Sequence, residues 1–480
     1  MTELCDRSAL ELRRLIGTKE ISPVEVMESC IARTEAVNPA VNAMVTTNYN
    51  AARIEAKEAE NAVLDGDDLG LLHGLPIGIK DLETTGGIRT TYGSLLYENN
   101  VPEMDQLSVE NVRDEGAIIL GKTNTPEFGA GANTKNRVFG ATGNPFNPDL
   151  TCAGSSGGSA VALACSMTPI ASGSDFGGSL RTPAGFCGVV GFRVSPGVVP
   201  VDTRPVGLTP LSVVGPMGRT VGDAALLLAA QTDANIRDPF SSSVDPDLLE
   251  PLDQVDLSSL RIAVSADLGC ATVDNDIRAA FESKVGAFRH VFANADDRAP
   301  DMTNVHETFE ILRSVNFVAA HRERLREHKD LLGPNIIDNV TRGLDYSLED
   351  VSWANVQQSK IYRGVMDFFD DVDILICPTA SVSPFPHAQN AITEINGEEM
   401  PTYMRWLALS YGLTMASCSS LSLPCGVDHK GMPFGIQIVG PNGSDRFVSQ
   451  VAHALEQYLA SNADLSRPVP DLDALKSMGK

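Results

Sequence analysis

The chain has 480 residues, of which 43% are hydrophobic, and it carries a formal net charge of −25 at pH 7. This length and apolar content are enough for a large buried core, while the negative charge argues against binding to nucleic acid or to an anionic membrane surface. No run approaches the roughly 18 apolar residues of a membrane-spanning helix, and the charged N-terminus lacks the apolar stretch of a secretory signal.

The first 70 residues predict a helical segment. Ser-Pro-Val-Glu at 22–25 is a capping box with proline at the first helical position. It begins a helix that we expect to end near Val37, before an Asn-Pro pair. Residues 49–64 are rich in alanine and glutamate and predict a second helix, which turn residues then end.

Between residues 71 and 215 short apolar runs alternate with loops rich in glycine, asparagine and proline. Residues 106–115 and 159–167 predict helices within this region. The alternation is typical of a mixed α/β sheet that carries long loops. Because binding and catalytic residues tend to lie on such loops, we look for the functional site here.

The second half of the chain predicts further helices and strands. Thr220 begins another helix, with Asp223 as the partner in a capping box, and we expect this helix to reach Gln231. Residues 236–258 are acidic and rich in proline and serine, which indicates a surface connection. The remaining predicted elements are a strand at 261–267, a helix at 275–292, mostly helix over 301–370, buried strands at 373–378 and 435–441, and a last helix at 444–460.

The nine cysteines form no Cys-x-x-Cys pair and have no metal-ligand spacing with the eight histidines. Their odd number and scattered positions favour reduced thiols. We therefore expect a cytoplasmic protein that holds no metal and no cofactor. A metal-dependent mechanism is disfavoured for the same reason.

Lys80 directly follows the apolar run Leu75–Ile79. A lysine drawn into a poorly hydrated place has a lowered pKa, and a neutral lysine near pH 7 can act as a general base. Taken by itself, this fragment fits better a lysine that reaches solvent or pairs with Asp81.

Residues 152–160 read CAGSSGGSA, with Ser155 and Ser156 adjacent, and a short helical sequence follows. Free N–H groups and the positive end of a helix dipole make such a place favourable for an anion. A serine there can relay a proton. A flexible linker or a simple helix N-cap explains the string equally well when it is taken alone.

In the sequence GSDFGGSLR at 173–181, two glycines precede Ser179. They can aim consecutive backbone N–H groups at one point, as in an oxyanion hole, and a nucleophile directly after them is well placed. A serine nucleophile needs a base. The region 71–215 holds one histidine, His73, and neither Ser155 nor Ser179 is the central serine of a Gly-x-Ser-x-Gly motif, so the candidate base is Lys80. Ser179 by itself is also typical of a turn.

Together these fragments resemble the amidase signature family. The segments that carry the resemblance are GLPIGIKD at 74–81, AGSSGGSA at 153–160, GSDFGGSLRTPA at 173–184, LGKTNTPEF at 120–128, FCGVVGFR at 186–193, GPMGRT at 215–220, SLPCG at 422–426 and GIQIVG at 435–440. The similarity covers essentially the whole chain and is weakest over 236–370.

The resemblance implies an α/β fold with a mixed central sheet flanked by helices on both faces. We expect a single domain over 1–480. Within it, 1–70 is an N-terminal helical segment, 71–215 the signature core, 236–370 a variable and largely helical region, and 371–465 the C-terminal part of the core sheet.

The resemblance also implies a Ser–cis-Ser–Lys triad. Ser179 would be the nucleophile, Ser155 the bridging serine after a cis peptide from Gly154, and Lys80 the base. Ser155 and Ser179 are 24 residues apart, as the family's serine pair is, which favours Ser155 over Ser156. Further expected residues are Phe176, Gly177 and Gly178 for the oxyanion, Gly129 at the substrate pocket, and Ser156, Asp175 and Arg181 as residues that hold the loops.

The expected reaction is hydrolysis of a small-molecule carboxylic amide to an acid and an amine or ammonia through a Ser179 acyl-enzyme. A homodimer is implied by resemblance alone. One alternative is the glutaminase component of a tRNA-dependent amidotransferase, which residues 202–212 disfavour because they depart from that protein's usual sequence. The other is a catalytically silent family member, which the presence of Lys80, Ser155 and Ser179 disfavours.

Overall fold

The computed structural model describes residues 3–241 and 251–479. Its α-helices are α1 (Ala9–Gly17), α2 (Pro23–Val41), α3 (Tyr49–Asp65), α4 (Leu107–Asp114), α5 (Gly157–Ala164), α6 (Arg181–Cys187), α7 (Val221–Gln231), α8 (Asn275–Phe288), α9 (Val305–His328), α10 (Pro334–Asp345), α11 (Leu348–Phe368), α12 (Ala408–Met415), α13 (Asp445–Ala460) and α14 (Leu472–Met478).

The strands are β1 (Met44–Thr47), β2 (Pro76–Lys80), β3 (Ile118–Thr123), β4 (Lys135–Asn136), β5 (Gly140–Ala141), β6 (Gly143–Asn144), β7 (Asn147–Thr151), β8 (Ile170–Asp175), β9 (Val190–Arg193), β10 (Val213–Gly218), β11 (Arg261–Val264), β12 (Asn294–Asp297), β13 (Ile374–Pro378), β14 (Glu394–Ile395), β15 (Glu398–Glu399), β16 (Ser419–Val427) and β17 (Pro433–Gly440).

Within the described residues, one 11-stranded sheet has the order β1-β3-β2-β8-β10-β9-β16-β17-β13-β11-β12. The pairs β2/β3, β2/β8, β11/β13 and β11/β12 are parallel, and the other neighbours are antiparallel. Helices cover both faces. The predicted α/β fold with a mixed central sheet is therefore confirmed, while the division of the chain into four segments stays a prediction.

The central strands are buried along almost their whole length, with Ser174 of β8 partly exposed, which explains why their sequences are continuous apolar or small-residue runs rather than alternating ones. β2 lies between β3 and β8. Lys80 is the last residue of β2 and Asp175 the last residue of β8. Because these two strands are parallel, both residues lie at the same edge of the sheet, where the functional loops begin.

The predicted capping box of α2 is present: Ser22 Oγ accepts from the N–H of Val24, and Glu25 accepts from the N–H of Ser22. The expected end of this helix near Val37 is wrong, because α2 continues through Pro39 to Val41. A proline in the last turn removes only one backbone hydrogen bond. The Asn38 side chain accepts from the N–H groups of Ala43 and Met44 and so ends the helix instead.

Helix α7 begins and ends as predicted, but only half of its expected capping box forms. Thr220 accepts from the N–H of Asp223, whereas the Asp223 carboxylate accepts from the N–H of Ala9 and so joins α7 to α1. Of the predicted connection at 236–258, residues 242–250 lie outside the described residues. In the part of the chain that is described, no helix is long and apolar enough to cross a membrane.

Candidate active site

The Lys80 amine lies among serine oxygens. Its Nζ is 2.7 Å from Oγ of Ser155, 2.8 Å from Oγ of Ser156 and 2.9 Å from Oγ of Ser174. The Lys80 side chain has no exposed surface. Burial lowers the pKa of Lys80 to about 7, against the opposing charges of Glu83 and Asp175. Near neutral pH a large fraction of this amine is therefore uncharged and able to accept a proton.

Two loops hold the serines over the amine. The Gly154–Ser155 peptide is cis, and the loop leads into α5. The backbone N–H of Ser156 donates to the carbonyl of Ser179 at 3.1 Å, which joins this loop to the one after β8. A Cβ at Gly158 would overlap the backbone of Asn124, so this glycine is needed for close packing.

Ser155 and Ser179 line one cavity of about 130 Å³. Ser155 is almost fully buried, and Ser179 is half-buried. Gly129, the residue predicted at the substrate pocket, also lines this cavity. Its φ is +71°, and a Cβ there would lie 2.9 Å from Cδ1 of Leu82, so glycine keeps this wall open.

The loop after β8 presents backbone N–H groups beside Ser179. The N–H of Gly178 donates to Oδ1 of Asp175 at 2.9 Å and is therefore occupied. The N–H groups of Phe176, Gly177 and Ser179 make no hydrogen bond to any described residue. The N–H groups of Phe176 and Gly177 thus have no partner among the described residues, whereas that of Gly178 holds the loop. The oxyanion roles of Phe176, Gly177 and Gly178 stay a prediction.

Asp175 is the centre of a buried ion cluster. Its carboxylate accepts from Nε of Arg181 at 3.1 Å, from Nη1 of Arg193 at 3.4 Å and from the N–H of Leu180 at 3.1 Å. Burial opposes its ionisation, but the two guanidiniums outweigh that effect and hold the pKa of Asp175 well below its usual range. Arg181 also donates to Gln437 on β17. These contacts tie the loop that carries Ser179 to the middle of the sheet.

Sequence reasoning missed a polar network behind Lys80. The backbone N–H of Lys80 donates to Oγ of Ser172, which donates to Oε1 of Glu83 at 2.5 Å. Ser172 and Ser174 alternate along β8, so their side chains point to the same face of the sheet. Two polar residues at this spacing in a fully internal strand were a signal that could have indicated both.

Sequence reasoning also missed Arg313. It comes from α9, in a region for which the sequence predicts only a helical pattern, and it lines the same cavity as Ser155 and Ser179. A second cavity of about 400 Å³ adjoins the first and shares Leu82, Phe128, Ser174 and Ser212 with it. The amine, the two loops and these cavities together form a site for a small molecule.

A sequence model of the Amidase family matches residues 25–448. The chain belongs to the amidase family. Acylamidase from Rhodococcus erythropolis is 30% identical over 454 residues, which cover 94% of each chain. One glutamyl-tRNA(Gln) amidotransferase subunit from Thermosynechococcus vestitus is 30% identical over 485 residues, covering 93% of this chain and 97% of the relative.

Among solved structures, that of a bacterial aryl acylamidase of the amidase signature family matches with a TM-score of 0.88 and 27% identity, covering 98% of both chains. The predicted family and the predicted enzyme class, an amide hydrolase, are confirmed.

Proposed function

We propose that this amidase cleaves the C–N bond of a carboxylic amide through an acyl-enzyme on Ser179, with Ser155 and Lys80 as the proton relay. The observation that carries the proposal is the 2.7 Å distance between Lys80 Nζ and Ser155 Oγ, at the wall of a cavity that Ser179 also lines. The lowered pKa of Lys80, about 7, supports a neutral amine as the base.

In the first step the neutral Lys80 amine accepts the Ser155 proton while Ser155 accepts the Ser179 proton. The Ser179 oxygen forms a bond to the amide carbon, and the carbonyl π electrons move to its oxygen. The free N–H groups of Phe176, Gly177 and Ser179 are the proposed donors to that oxyanion. One such donor is typically worth about 10²–10³ in rate.

The relay then runs in reverse. The Lys80 ammonium returns its proton through Ser155 to the amide nitrogen, the C–N bond breaks, and the amine or ammonia leaves with the bonding electrons. A water molecule attacks the remaining ester, again losing a proton to the relay. The carboxylic acid leaves and Ser179 regains its proton.

Ser156, Asp175 and Arg181 act in this proposal as positioning residues. Ser156 holds the Lys80 amine at 2.8 Å and donates its backbone N–H to the carbonyl of Ser179. Asp175 and Arg181 fix the loop whose residues Phe176, Gly177 and Ser179 line the cavity. All chemical groups come from the chain, the substrate and water, so we expect full activity in the presence of a chelator.

A fluorophosphonate probe tests the nucleophile directly. We expect one adduct on the peptide that contains Ser179, found by mass spectrometry, and none with heat-denatured protein. Ser179→Ala should lose both labelling and amide hydrolysis. An adduct on another peptide, or hydrolysis retained by Ser179→Ala, contradicts the proposal.

Release of ammonia from glutamine within an amidotransferase is the second candidate. It is favoured by the relative from Thermosynechococcus vestitus, which is as similar to this chain as the acylamidase is. Residues 202–212 still favour a hydrolase that acts alone. Turnover of anilides and aliphatic amides by the purified chain supports the first candidate, and ammonia release from glutamine only with partner subunits supports the second.

The homodimer and the cytoplasmic location implied by the sequence belong to the same proposal. Light scattering of the purified chain should give twice the monomer mass of 51.1 kDa. A monomer that is fully active would remove the dimer from the proposal and leave the chemistry intact.

A further inference from the structure

Arg313 lies on α9 and is 5% exposed. It lines the cavity that also holds Ser155 and Ser179. Among the described residues that line this cavity, Arg313 carries the single charged side chain. A permanent positive charge therefore faces the space in which the scissile amide must lie.

The hydrogen-bond partners of this guanidinium are neutral. Its Nε donates to Oδ1 of Asn339 at 3.2 Å, and its Nη2 donates to the hydroxyl of Tyr403 at 2.9 Å. Nη1 has no hydrogen-bond partner in the part of the chain that the structure describes. Glu310, one turn earlier on the same helix, is paired with Arg405 at 2.8 Å instead.

Aromatic rings surround the rest of the group. The guanidinium carbon is 4.5 Å from the ring centre of Phe317 and 5.6 Å from that of Phe176. Ring faces attract a cation, but they do not replace the full hydration of a guanidinium. The rings pack against the planar guanidinium, and Nη1 remains the nitrogen without a hydrogen-bond partner among the described residues.

Several other buried arginines in this acidic protein have stronger acceptors. Arg33 pairs with Asp6 at 2.8 Å, and Arg181 pairs with Asp175 at 3.1 Å. Arg219 donates to three backbone carbonyls. Arg313 has neither a carboxylate nor a set of carbonyls as partners, and its guanidinium lies at the cavity, so an anion in the cavity would complete its hydrogen bonds. In a catalytic cavity that anion belongs to the substrate.

We propose that Arg313 binds a carboxylate of the substrate, so that the enzyme prefers amides that carry a carboxylate over neutral amides. The inference rests on the proposed function of the same site. A planar guanidinium matches the two oxygens of a carboxylate with two parallel hydrogen bonds. Since Arg313 and Ser179 share one cavity of about 130 Å³, the carboxylate is a few bonds from the scissile amide.

Matched substrates test this preference. The first pair compares succinanilate with butyranilide, which lacks the carboxylate on the acyl side. The rate of aniline release is measured for both. 3-Acetamidobenzoate against 3-nitroacetanilide places it on the amine side, with acetate release as the readout. For one of the two pairs we expect the wild-type kcat/KM of the carboxylate substrate to be about 100-fold higher, as for a charge-assisted contact.

The variants Arg313→Met and Arg313→Gln should remove that preference: kcat/KM should fall about 100-fold more for the carboxylate substrate than for its neutral match. Arg324→Met is the matched control: Arg324 lines the neighbouring cavity and donates to the hydroxyl of Tyr97, and we expect it to keep the preference. Equal loss on both members of a pair would make Arg313 a merely structural residue and overturn the proposal. So would a preference lost in Arg324→Met alone.

Two measurements keep the proposal independent of turnover. Calorimetry on Ser179→Ala should give tighter binding of a carboxylate substrate than of its neutral match, and Arg313→Met added to that variant should abolish the difference. Inhibition of the wild type by 3-carboxyphenylboronate should be stronger than inhibition by phenylboronate. Arg313-dependent binding without hydrolysis would contradict the proposed function alone, while equal binding and equal inhibition within the pairs would overturn the role of Arg313.

Discussion

Two buried lysines on neighbouring strands, Lys80 at the end of β2 and Lys122 in β3, have the same degree of burial and different surroundings. Neither side chain has any exposed surface. Burial lowers the pKa of Lys80 to about 7 and the pKa of Lys122 to about 8. By burial and charge alone either lysine could be the base of this enzyme.

Their partners separate them. Lys80 Nζ contacts three serine hydroxyls, and one of these, Ser155, opens onto the cavity. Lys122 Nζ donates to the backbone carbonyl of Glu83 and to the hydroxyl of Thr85, and it faces the charges of Asp81 and Glu83. A lowered pKa therefore does not identify a base, because the amine also needs a proton donor that leads to the substrate.

Replacement of Lys80 gives the largest expected loss of activity. Lys80→Met should lower kcat/KM by about 10³-fold, since general-base catalysis contributes roughly 10²–10⁴. Steady-state kinetics with a chromogenic anilide measures it. Retention of more than a tenth of the wild-type rate by a folded Lys80→Met protein would remove Lys80 from the relay.

Replacement of Lys122 should lower the stability of the fold rather than the activity. Lys122→Met leaves the carbonyl of Glu83 and two buried carboxylates without their cation, and we expect a loss of about 2–3 kcal/mol in the free energy of unfolding. Its kcat/KM should stay within about tenfold of the wild type. Urea unfolding and kinetics on the same preparation check this, and a rate as low as that of Lys80→Met would end the distinction between the two lysines.

The pH dependence sharpens the comparison further. Because the pKa of Lys80 is about 7 and the neutral form is the base, kcat/KM should fall about tenfold per pH unit below pH 7 and level off above it. The pKa of Lys80 in the unfolded chain is near its ordinary value of 10.5, so the unfolded state binds the extra proton between these values.

Burial of Lys80 therefore costs stability in full below pH 7, and this cost declines as the pH rises toward 10.5. The free energy of unfolding of the wild type minus that of Lys80→Met should increase across this window. A difference that does not change with pH would mean that the folded pKa of Lys80 is not lowered.

The smallest expected loss of activity follows from removal of one hydroxyl, Oγ of Ser156, from the surroundings of Lys80. Ser156→Ala removes one of its three hydroxyl partners and should lower kcat/KM about 5- to 10-fold. Ser155→Ala, which interrupts the relay, should cost far more. Equal losses in the two variants would contradict the assignment of Ser155 as the bridging serine.

The predicted elements matched the fold best where the sequence had strong local signals. The capping box at Ser22, the Ala/Glu-rich run of α3 and the buried strand β13 are examples. The end of α2 was predicted wrongly, because the contacts that end it come from the Asn38 side chain and not from the proline beside it. Pro39 removes one backbone hydrogen bond from α2, and the helix continues past it to Val41.

The family resemblance carried by three glycine-rich fragments predicted Lys80, Ser155 and Ser179 as catalytic residues, and the structure brings these three and Ser156 together. Their catalytic roles stay a prediction. The occupied N–H of Gly178 and the position of Arg313 were not predictable. Both depend on contacts between residues far apart in the chain or on the conformation of one loop, and helical periodicity in α9 says nothing about which cavity a given arginine reaches.

The sequence by itself determined which residue types are available for chemistry, because the motifs of serine, glycine and lysine, although each has another use when taken alone, together resemble one family. It also determined the layout of apolar runs that becomes the central sheet. The tertiary structure decided which of two equally buried lysines contacts three serine hydroxyls, and it left the arginine of the cavity without a carboxylate partner. Those properties follow from the order of strands and the packing of α9 against the loops, and both are set by long-range burial rather than by local sequence.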